Sequence, residues 1–548
     1  MSKLFVIAIG GTGMRCLESF VHLCAAGLFD GQEIDILTLD TDQTNGNKGK
    51  VENLINLYND VKTNDAENVG GAPHNNTFFS AKLNLYKFFT DYSTPQRQTL
   101  SSLTQTSNLD QQQRNDNQDI ADLLFERDTV QVFPLDHGYR AQTHLGSMLM
   151  YHGIIEAAIN AKKKGAQAKP EERDLKAFLE LLNKNANNAR VFVFGSVFGG
   201  TGASSIPVIP LAINESLKII TGGNNVINLN KVVFGSTLLT DYFTFNSPSQ
   251  AQISRDKVIA DANNFALNSQ AALSFYNEDV SVMSTYKRMY HIGWPSSLKI
   301  DYSAATSNVA TGGHEQENPC HIAELMCACA AYDFFKANSF PNQKTEIVYR
   351  TVEELDGGGL HLIGDSFVGT TNGSEFENKL GALFSLAHII LSKYDGAKED
   401  CLGTNNFLAS LEDYKINDYG DLTDEQAKKI DKYLKEFAYK IVGDKFCSGW
   451  IYQIFNSIGQ GTFLFTKDSF VTNPLTVKYV DPGNIFLDDK HNWDYAKLGL
   501  SSVADRRFDK FINIVRQDNT FPSEDQATTV KEKFLAHLYN AITEAQHY

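Results

Sequence analysis

Residues 191–211, VFVFGSVFGGTGASSIPVIPL, constrain this chain more than any other stretch. A β-branched and aromatic run reads as a buried strand. The glycine turn Gly199-Gly200-Thr201-Gly202 follows, and Ala203, Ser204 and Ser205 lead into an apolar helix. A strand that turns through glycines into a helix gathers free backbone N–H groups and the positive end of a helix at one point, which suits an anion. Glycine is wanted where a Cβ would hold the backbone away from a phosphate, or where φ must be positive. Thr201, Ser204 and Ser205 add hydroxyl donors. Taken alone, the turn reads equally as a plain connection between strand and helix. It recurs, however, at residues 4–13, LFVIAIGGTG, where Gly10, Gly11, Thr12 and Gly13 precede a helix with Leu17, Phe20, Val21 and Cys24 at helical spacing. Two such units about 190 residues apart exceed what one mononucleotide fold needs. Neither matches the G-x-G-x-x-G dinucleotide spacing, and no lysine follows either turn as a Walker loop requires. Gly195-Ser196-Val197-Phe198-Gly199 lacks the G-x-S-x-G spacing of a hydrolase nucleophile.

Composition removes several other classes. The chain has 548 residues, 42% of them hydrophobic, enough for two to four domains. A formal net charge of −16 argues against a nucleic-acid backbone as the main partner. The seven cysteines form no C-x-x-C and mostly sit in apolar helical stretches, so they read as buried, reduced thiols of a cytoplasmic protein. No signal peptide is predicted, and no run reaches the roughly 18 apolar residues of a membrane span.

Along the chain, EIDILTLD reads as the second strand, and Asp40 and Asp42 at its end are acids that reach a nucleotide or its Mg²⁺ through water, or else cap and turn residues. From Gly46 to about 135 the pattern weakens, and the stretch reads as an insertion. Within it NNTFFSAKLNLYKFF is amphipathic and counts toward one or two helices, while the Gln/Asn/Ser-rich part is a solvated loop or a partner surface. A strong helix is expected over 137–161 after a glycine turn; Arg140 near its start either neutralises phosphate or makes a surface ion pair. His137 and His144 carry little weight as metal ligands. A strand over about 231–239 ends in Thr240 and Asp241, a helix is expected over 252–277, and a strand over 286–294. ENPCHIAELMCACAAYDFFKA, 317–337, opens on Asn-Pro and is apolar on nearly every face, so it reads as a helix buried in mid-protein. His321 and Glu324 lie one turn apart, which suits a cap and core hydrogen bonds better than a metal. Further on, KTEIVYRTVE reads as a strand, LDGGGLHLIGDSFVGTTNG as a long loop, and 462–487 as alternating strands between helices.

GGTGASSIPV at 199–208 resembles, without gaps, the G-G-T-G-[ST]-G-A-[AG]-P-V pattern of tubulin and its bacterial relative FtsZ. IGGTG at 9–13 is similar to that family's first phosphate loop, and LTLDTDQTN at 37–45 to its second strand and N-T-D loop, here Asp40, Thr41 and Asp42. The chain departs from the pattern at Ala8 and Phe198, where the family has glycine, and its insertions set it nearer the divergent bacterial tubulin-like proteins. The resemblance implies a Rossmann-like α/β GTPase domain over 1–316, a core helix over 317–340 and an α+β C-terminal domain over 341–548. It implies GTP or GDP as the cofactor, with Mg²⁺, held by Gly10 to Gly13, Asp40 to Asp42, Arg140 and Gly199 to Ser204. Asp241 would stand near the ribose and Asn318 would read the guanine edge. The implied partner is a second copy, in a head-to-tail cytoskeletal filament or ring whose next subunit supplies the hydrolytic acid. The nearest match to that acid's motif is Asn372-Gly373-Ser374-Glu375-Phe376-Glu377, about 35 residues past the core helix. Glu375 and Glu377 are the candidates, or else first-turn acids favoured by the helix dipole. Two other readings stay open: a tubulin-fold scaffold with a weakened site, and an adenylating or dinucleotide enzyme using the first turn alone.

Overall fold

The computed structural model describes residues 2–42, 44–63, 71–106, 116–126, 131–132, 134–135, 142–223, 231–247, 249–250, 260–302, 316, 318–341, 344–355, 359–362, 364–369, 371–391, 424–442, 445–457, 464–465, 470–472, 486–487, 492–493, 514–515 and 517–546. Seven strands form the central sheet: β1 Lys3–Ile9, β2 Glu33–Asp40, β3 Lys82–Phe89, β4 Ala189–Phe194, β5 Val233–Leu239, β6 Tyr286–Ile292 and β7 Glu346–Arg350. Their order is β3-β2-β1-β4-β5-β6-β7, and every neighbouring pair is parallel. The fold is therefore α/β, with a Rossmann-like parallel sheet flanked by helices. Parallel neighbours need long crossovers, and these cover both faces with helices. Hence β1 and β4 read as unbroken apolar runs: Leu4, Val6 and Ala8 enter one core while Phe5, Ile7 and Ile9 enter the other.

The helices that flank the sheet and the site are α1 Gly10–Ala25, α2 Gly46–Lys62, α3 Thr143–Lys164, α4 Pro170–Lys184, α5 Gly200–Ser205, α6 Ile209–Thr221, α7 Phe265–Glu278, α8 Ile322–Lys336, α9 Gly373–Leu391, α10 Asp424–Phe437, α11 Trp450–Asn456 and α12 Val530–Gln546, with shorter ones between them. One face carries α3, α4 and α6, with Phe178, Leu149 and Ile213 in their core. The other carries α1, α2 and α8, and over them the C-terminal helices α9 to α12. In α8 every residue from Ile322 to Phe335 except Asp333 is buried, as its lack of a polar face requires. It lies close on β5: a Cβ at Gly235 would come within 2.6 Å of the Phe334 ring. Beyond the core helix, a small antiparallel sheet joins Glu353–Leu355, Gly359–Leu362, Phe470–Thr472 and Leu464–Phe465. No helix among the described residues is long and apolar enough to cross a membrane.

Four expectations are corrected. Lys82–Phe89, within the supposed insertion, is not helical but the edge strand β3; Leu83 and Leu85 face one core and Tyr86 and Phe88 the other, a period of two that outweighs the helical reading. The core helix starts at Ile322, not at the Asn-Pro pair, because His321 and Glu324 close a capping box there. The glycine-rich stretch after 355 holds the strand Gly359–Leu362 and the short helix Gly364–Val368. The helix expected over 252–277 runs from Phe265 to Glu278 after one 3₁₀ turn, and 251–259 lie outside the described residues. KTEIVYRTVE is a strand as expected, and it completes the central sheet as β7.

Candidate functional site

After β1 the chain builds outward through β2 and β3, then returns to β4 and builds the other way, so strand order reverses between β1 and β4. Connections diverge at such a reversal and leave a crevice at the carboxyl ends of the strands, where open α/β sheets bind ligands. Both glycine turns stand there. Ala8 pairs with Phe194, which sets the turn after β1 beside the turn after β4. A Cβ at Gly10 would lie 3.0 Å from the Thr201 Cβ, and Gly10 has φ +65°, so this contact needs glycine twice over. A Cβ at Gly13 would lie 2.6 Å from the Phe194 carbonyl oxygen, and one at Gly202 2.7 Å from that of Ser196. Gly11, Thr12, Gly199, Gly200 and Thr201 reach the surface, while Gly10, Gly13, Gly202, Ala203 and Ser204 are buried beneath them. Ile9 and Gly199, the N-cap residues of α1 and α5, have no polar side chain to cap with, and no acid lies in the first turn of α1. The leading N–H groups of α1 are thus left for a ligand.

Neighbouring hydroxyls brace the second turn. Thr237 of β5 accepts from the Gly195 N–H and donates to the Gly195 carbonyl, both at 3.0 Å. Ser147 donates to the Ser204 carbonyl at 2.7 Å, Tyr286 to that of Ile206 at 2.6 Å, and Tyr276 to that of Ala203. The Ser204 hydroxyl turns back to the Thr201 carbonyl at 3.0 Å. Phe198 points away from the turn into a cluster of Tyr242, Phe243 and Phe265, so its ring does not fill the crevice.

The segment after β2 forms a third wall. Asp40 accepts from the Thr41 N–H (2.7 Å), the Asp42 N–H (3.2 Å) and the Asn45 amide (3.0 Å). Burial pushes its carboxyl up to about 7, Asp42 adds to this, and the N–H bonds and Lys48 oppose it. Asp42 accepts from the N–H and hydroxyl of Thr44. Both acids thus hold the loop in shape, as turn residues do. Asn45 caps α2 through Asn47 N–H (3.0 Å) and Lys48 N–H (3.3 Å), and its NH₂ also donates to Gln316 at 2.8 Å. A Cβ at Gly11 would meet Gln316, Asn45 and Asn47 at 3.0, 3.2 and 3.3 Å, so three carboxamides lean on the first turn. The Thr41 hydroxyl and both polar atoms of the Asn47 amide are buried without a hydrogen-bond partner.

Asp241 follows β5 on the same edge and is ion-paired with Lys299. Asn318 is buried in the segment entering α8. That segment is fastened to α1: Arg15 donates to the Pro319 carbonyl at 2.9 Å and pairs with Glu324, which also receives the Tyr242 hydroxyl. The His321 N–H donates to Glu324 at 2.9 Å and the Ala323 N–H to His321 Nδ1 at 3.0 Å, so the pair is a cap. Arg140 and His137 lie outside the described residues, and His144 is stacked on Phe125.

Glu375 and Glu377 stand in the first turns of α9. Glu375 accepts from the Tyr332 hydroxyl at 2.7 Å, near the far end of the core helix, and pairs with Lys379 at 3.4 Å. Lys379 also reaches the Gly27 carbonyl and Asp30, just before β2. Glu375 therefore lies at the amino edge of the sheet, opposite the glycine turns. Burial would raise its carboxyl, but Tyr332, Lys336 and Lys379 together hold it below its ordinary value.

Sequence reading passed over Asn45, Asn47, Gln316, Ser147, Thr237 and Tyr276. Only Asn45 carried a signal, as a helix N-cap before a glycine.

No protein-family model and no curated protein matches the chain. Among solved structures, a GTPγS-form protofilament of TubZ from Bacillus thuringiensis serovar israelensis aligns at 10% identity over 61% of this chain and 55% of that one, with a TM-score of 0.19. The fold assignment accordingly rests on the strand order and parallel pairing of the sheet itself.

Proposed function

We propose that this chain is a tubulin-like protein that binds a guanine nucleotide at the paired glycine turns and assembles head-to-tail, with the next subunit completing the site for GTP hydrolysis. The observation that carries this reading is the contact of two glycine turns, Gly10 against Thr201, where the strand order reverses. A glycine turn at a helix N-terminus suits phosphate, and two side by side extend that site along a polyphosphate. The residues fit such a group: α1 is uncapped, Gly11 and Gly200 reach the surface, Thr12 and Thr201 offer hydroxyls, and the Thr41 hydroxyl lacks a partner. In this reading Gly10 to Gly13 and Gly199 to Ser204 hold the phosphates, Asp40 and Asp42 the Mg²⁺ through water, Asp241 the ribose and Asn318 the base. Mg²⁺, when bound, neutralises charge between phosphates.

Hydrolysis also needs a group that orients water in line with the terminal phosphate. Glu375 and Glu377, at the opposite edge of the sheet, supply such an acid only in trans, which ties hydrolysis to assembly. A head-to-tail contact is heterologous and builds open filaments unless its rotation closes a ring.

The test is equilibrium binding of labelled GTP with ATP as competitor, on the wild type and on Gly200→Ala/Thr201→Val. Tight GTP binding that ATP displaces poorly, lost in the double variant while its melting temperature holds, supports the reading. Undiminished binding by the double variant, or preference for ATP, overturns it. Light scattering with GTP and Mg²⁺ then reads assembly.

A further inference from the structure

We infer that Asn47 is a direct contact for the phosphates of the bound nucleotide, an inference that rests on the nucleotide-binding reading above. Asn47 is 3% exposed, and neither its Nδ2 nor its Oδ1 has a hydrogen-bond partner. A buried amide left unpaired is a standing penalty, so a chain that keeps one has a use for it. Its neighbours Asn45, Asp40 and Lys48 are already engaged. Asn45 gives its oxygen to the α2 cap and its NH₂ to Asp40 and Gln316. Asp40 is occupied by two N–H groups and Asn45. Lys48, the adjacent cation, is held by Glu52 at 2.6 Å and lies over the Phe89 ring. Asn47 keeps an unspent donor, and its amide nitrogen would stand 3.3 Å from a Gly11 Cβ, against the first turn of the 16-residue helix α1.

That position selects the ligand chemistry. The leading N–H groups of α1 and the Asn47 NH₂ are all donors, so the group they share must be an acceptor, and the macrodipole favours an anionic one. A phosphate oxygen meets both demands, and the Asn47 carbonyl is left to accept from a water on that ligand. The backbone that carries the side chain is held in place, because the Asn47 main-chain N–H donates to the Asn45 cap at 3.0 Å. Gly11 has the matching role, since a Cβ there would press on all three carboxamides.

The experiment measures affinity for GTP, GDP and guanosine, and melting temperature with and without GTP, for wild type, Asn47→Ala, Asn47→Asp and the Gly200→Ala/Thr201→Val control. Asn47→Ala should weaken GTP and GDP by about tenfold, the worth of about 1.4 kcal/mol, and leave guanosine unchanged. Asn47→Asp should weaken both nucleotides further, since it sets a carboxylate against phosphate. The ligand-free melting temperature of Asn47→Ala should equal or exceed that of wild type, because the change removes an unpaired buried group. Wild-type GTP affinity in Asn47→Ala, alongside lost binding in the control, overturns this inference and leaves the site reading intact. A lower ligand-free melting temperature in both Asn47 variants, with unchanged affinity, makes the amide structural and also overturns it. A wild type that binds no nucleotide overturns both.

Discussion

Replacing Glu324 with Ala should unfold this protein far more readily than its single position suggests. Glu324 is buried and holds three groups: Arg15 of α1, the Tyr242 hydroxyl and the His321 N–H. Arg15 is 3% exposed, bonds the Pro319 carbonyl and lies over the Tyr242 ring. Burial alone would lower the basicity of that guanidinium, and Glu324 with its neighbours more than offsets this; a guanidinium stays protonated even without such a partner, so removing Glu324 leaves a buried charge. Stranding a buried charge costs about 3–5 kcal/mol. Loss of the capping box at His321 adds about 1 kcal/mol. A domain is stable by only about 5–15 kcal/mol, so a loss near 5 kcal/mol is a large share. Arg15→Met/Glu324→Leu, which replaces the pair by apolar side chains, should lie within about 2 kcal/mol of wild type. Urea unfolding followed by circular dichroism, with slopes compared across variants, measures both. A loss under about 1 kcal/mol in Glu324→Ala, or a double variant no better than it, would refute the reasoning.

Three further outcomes follow from the same geometry. The Asp40 carboxyl stands at about 7 when folded against an ordinary 3.8, so the folded chain binds the proton more tightly; stability falls as pH rises from about 4 to about 7 and is level above. Melting curves from pH 5 to 8 should show this slope, and Asp40→Asn should flatten it; an unchanged slope would remove Asp40 as its source. Gly13→Ala, whose Cβ would meet the Phe194 carbonyl at 2.6 Å, should shift α1 off β4 and lower the melting temperature sharply. Gly49→Ala in α2, with nothing within 4 Å, should instead stabilise by about 0.5–1 kcal/mol, and equal effects of the two would refute the packing argument.

Local chemistry made half of this site legible in the sequence. Residues 4–13 and 191–202 each carry strand, turn and helix start in one continuous stretch, so their pattern survives without tertiary information. The core helix was legible from its apolar faces, but its first turn was decided by His321 and Glu324 rather than by the Asn-Pro pair. The third wall was legible only in part: Asp40 to Asp42 stood out in the sequence, while Asn47 and Gln316 carried no signal. Asn45 meets Gln316 across 271 residues, and nothing near either residue in the chain announces the other. The strand β3 was missed for a related reason. As an edge strand it is half exposed, its lysines and Asn84 dilute the alternation, and only pairing with β2 along its whole length resolves it.

The acid at the amino edge supplies the last prediction. Glu375 is held between Tyr332 and Lys379 on the first turn of α9, at the end of the core helix away from the glycine turns. From Ile322 to Tyr332 the helix spans about 15 Å, so Glu375 stands too far away to reach the glycine turns of its own subunit. In the proposed head-to-tail contact the amino edge of one subunit would face the carboxyl edge of the next, and an acid there would meet phosphate. The pair with Lys379 is partly exposed, so Glu375→Gln should cost less than about 1 kcal/mol of stability. GTP affinity and assembly should then match wild type while phosphate release slows, and the polymers should persist. Mixing Glu375→Gln with Gly200→Ala/Thr201→Val creates one contact that joins an intact acid to an intact nucleotide site, so phosphate release should partly return. Glu377→Gln, run in parallel, separates the two carboxylates of that turn. Wild-type turnover in both single variants would move the acid to another residue, and slowed turnover with no recovery on mixing would show that the side chain acts within its own subunit, through the seat of α9 on the core helix.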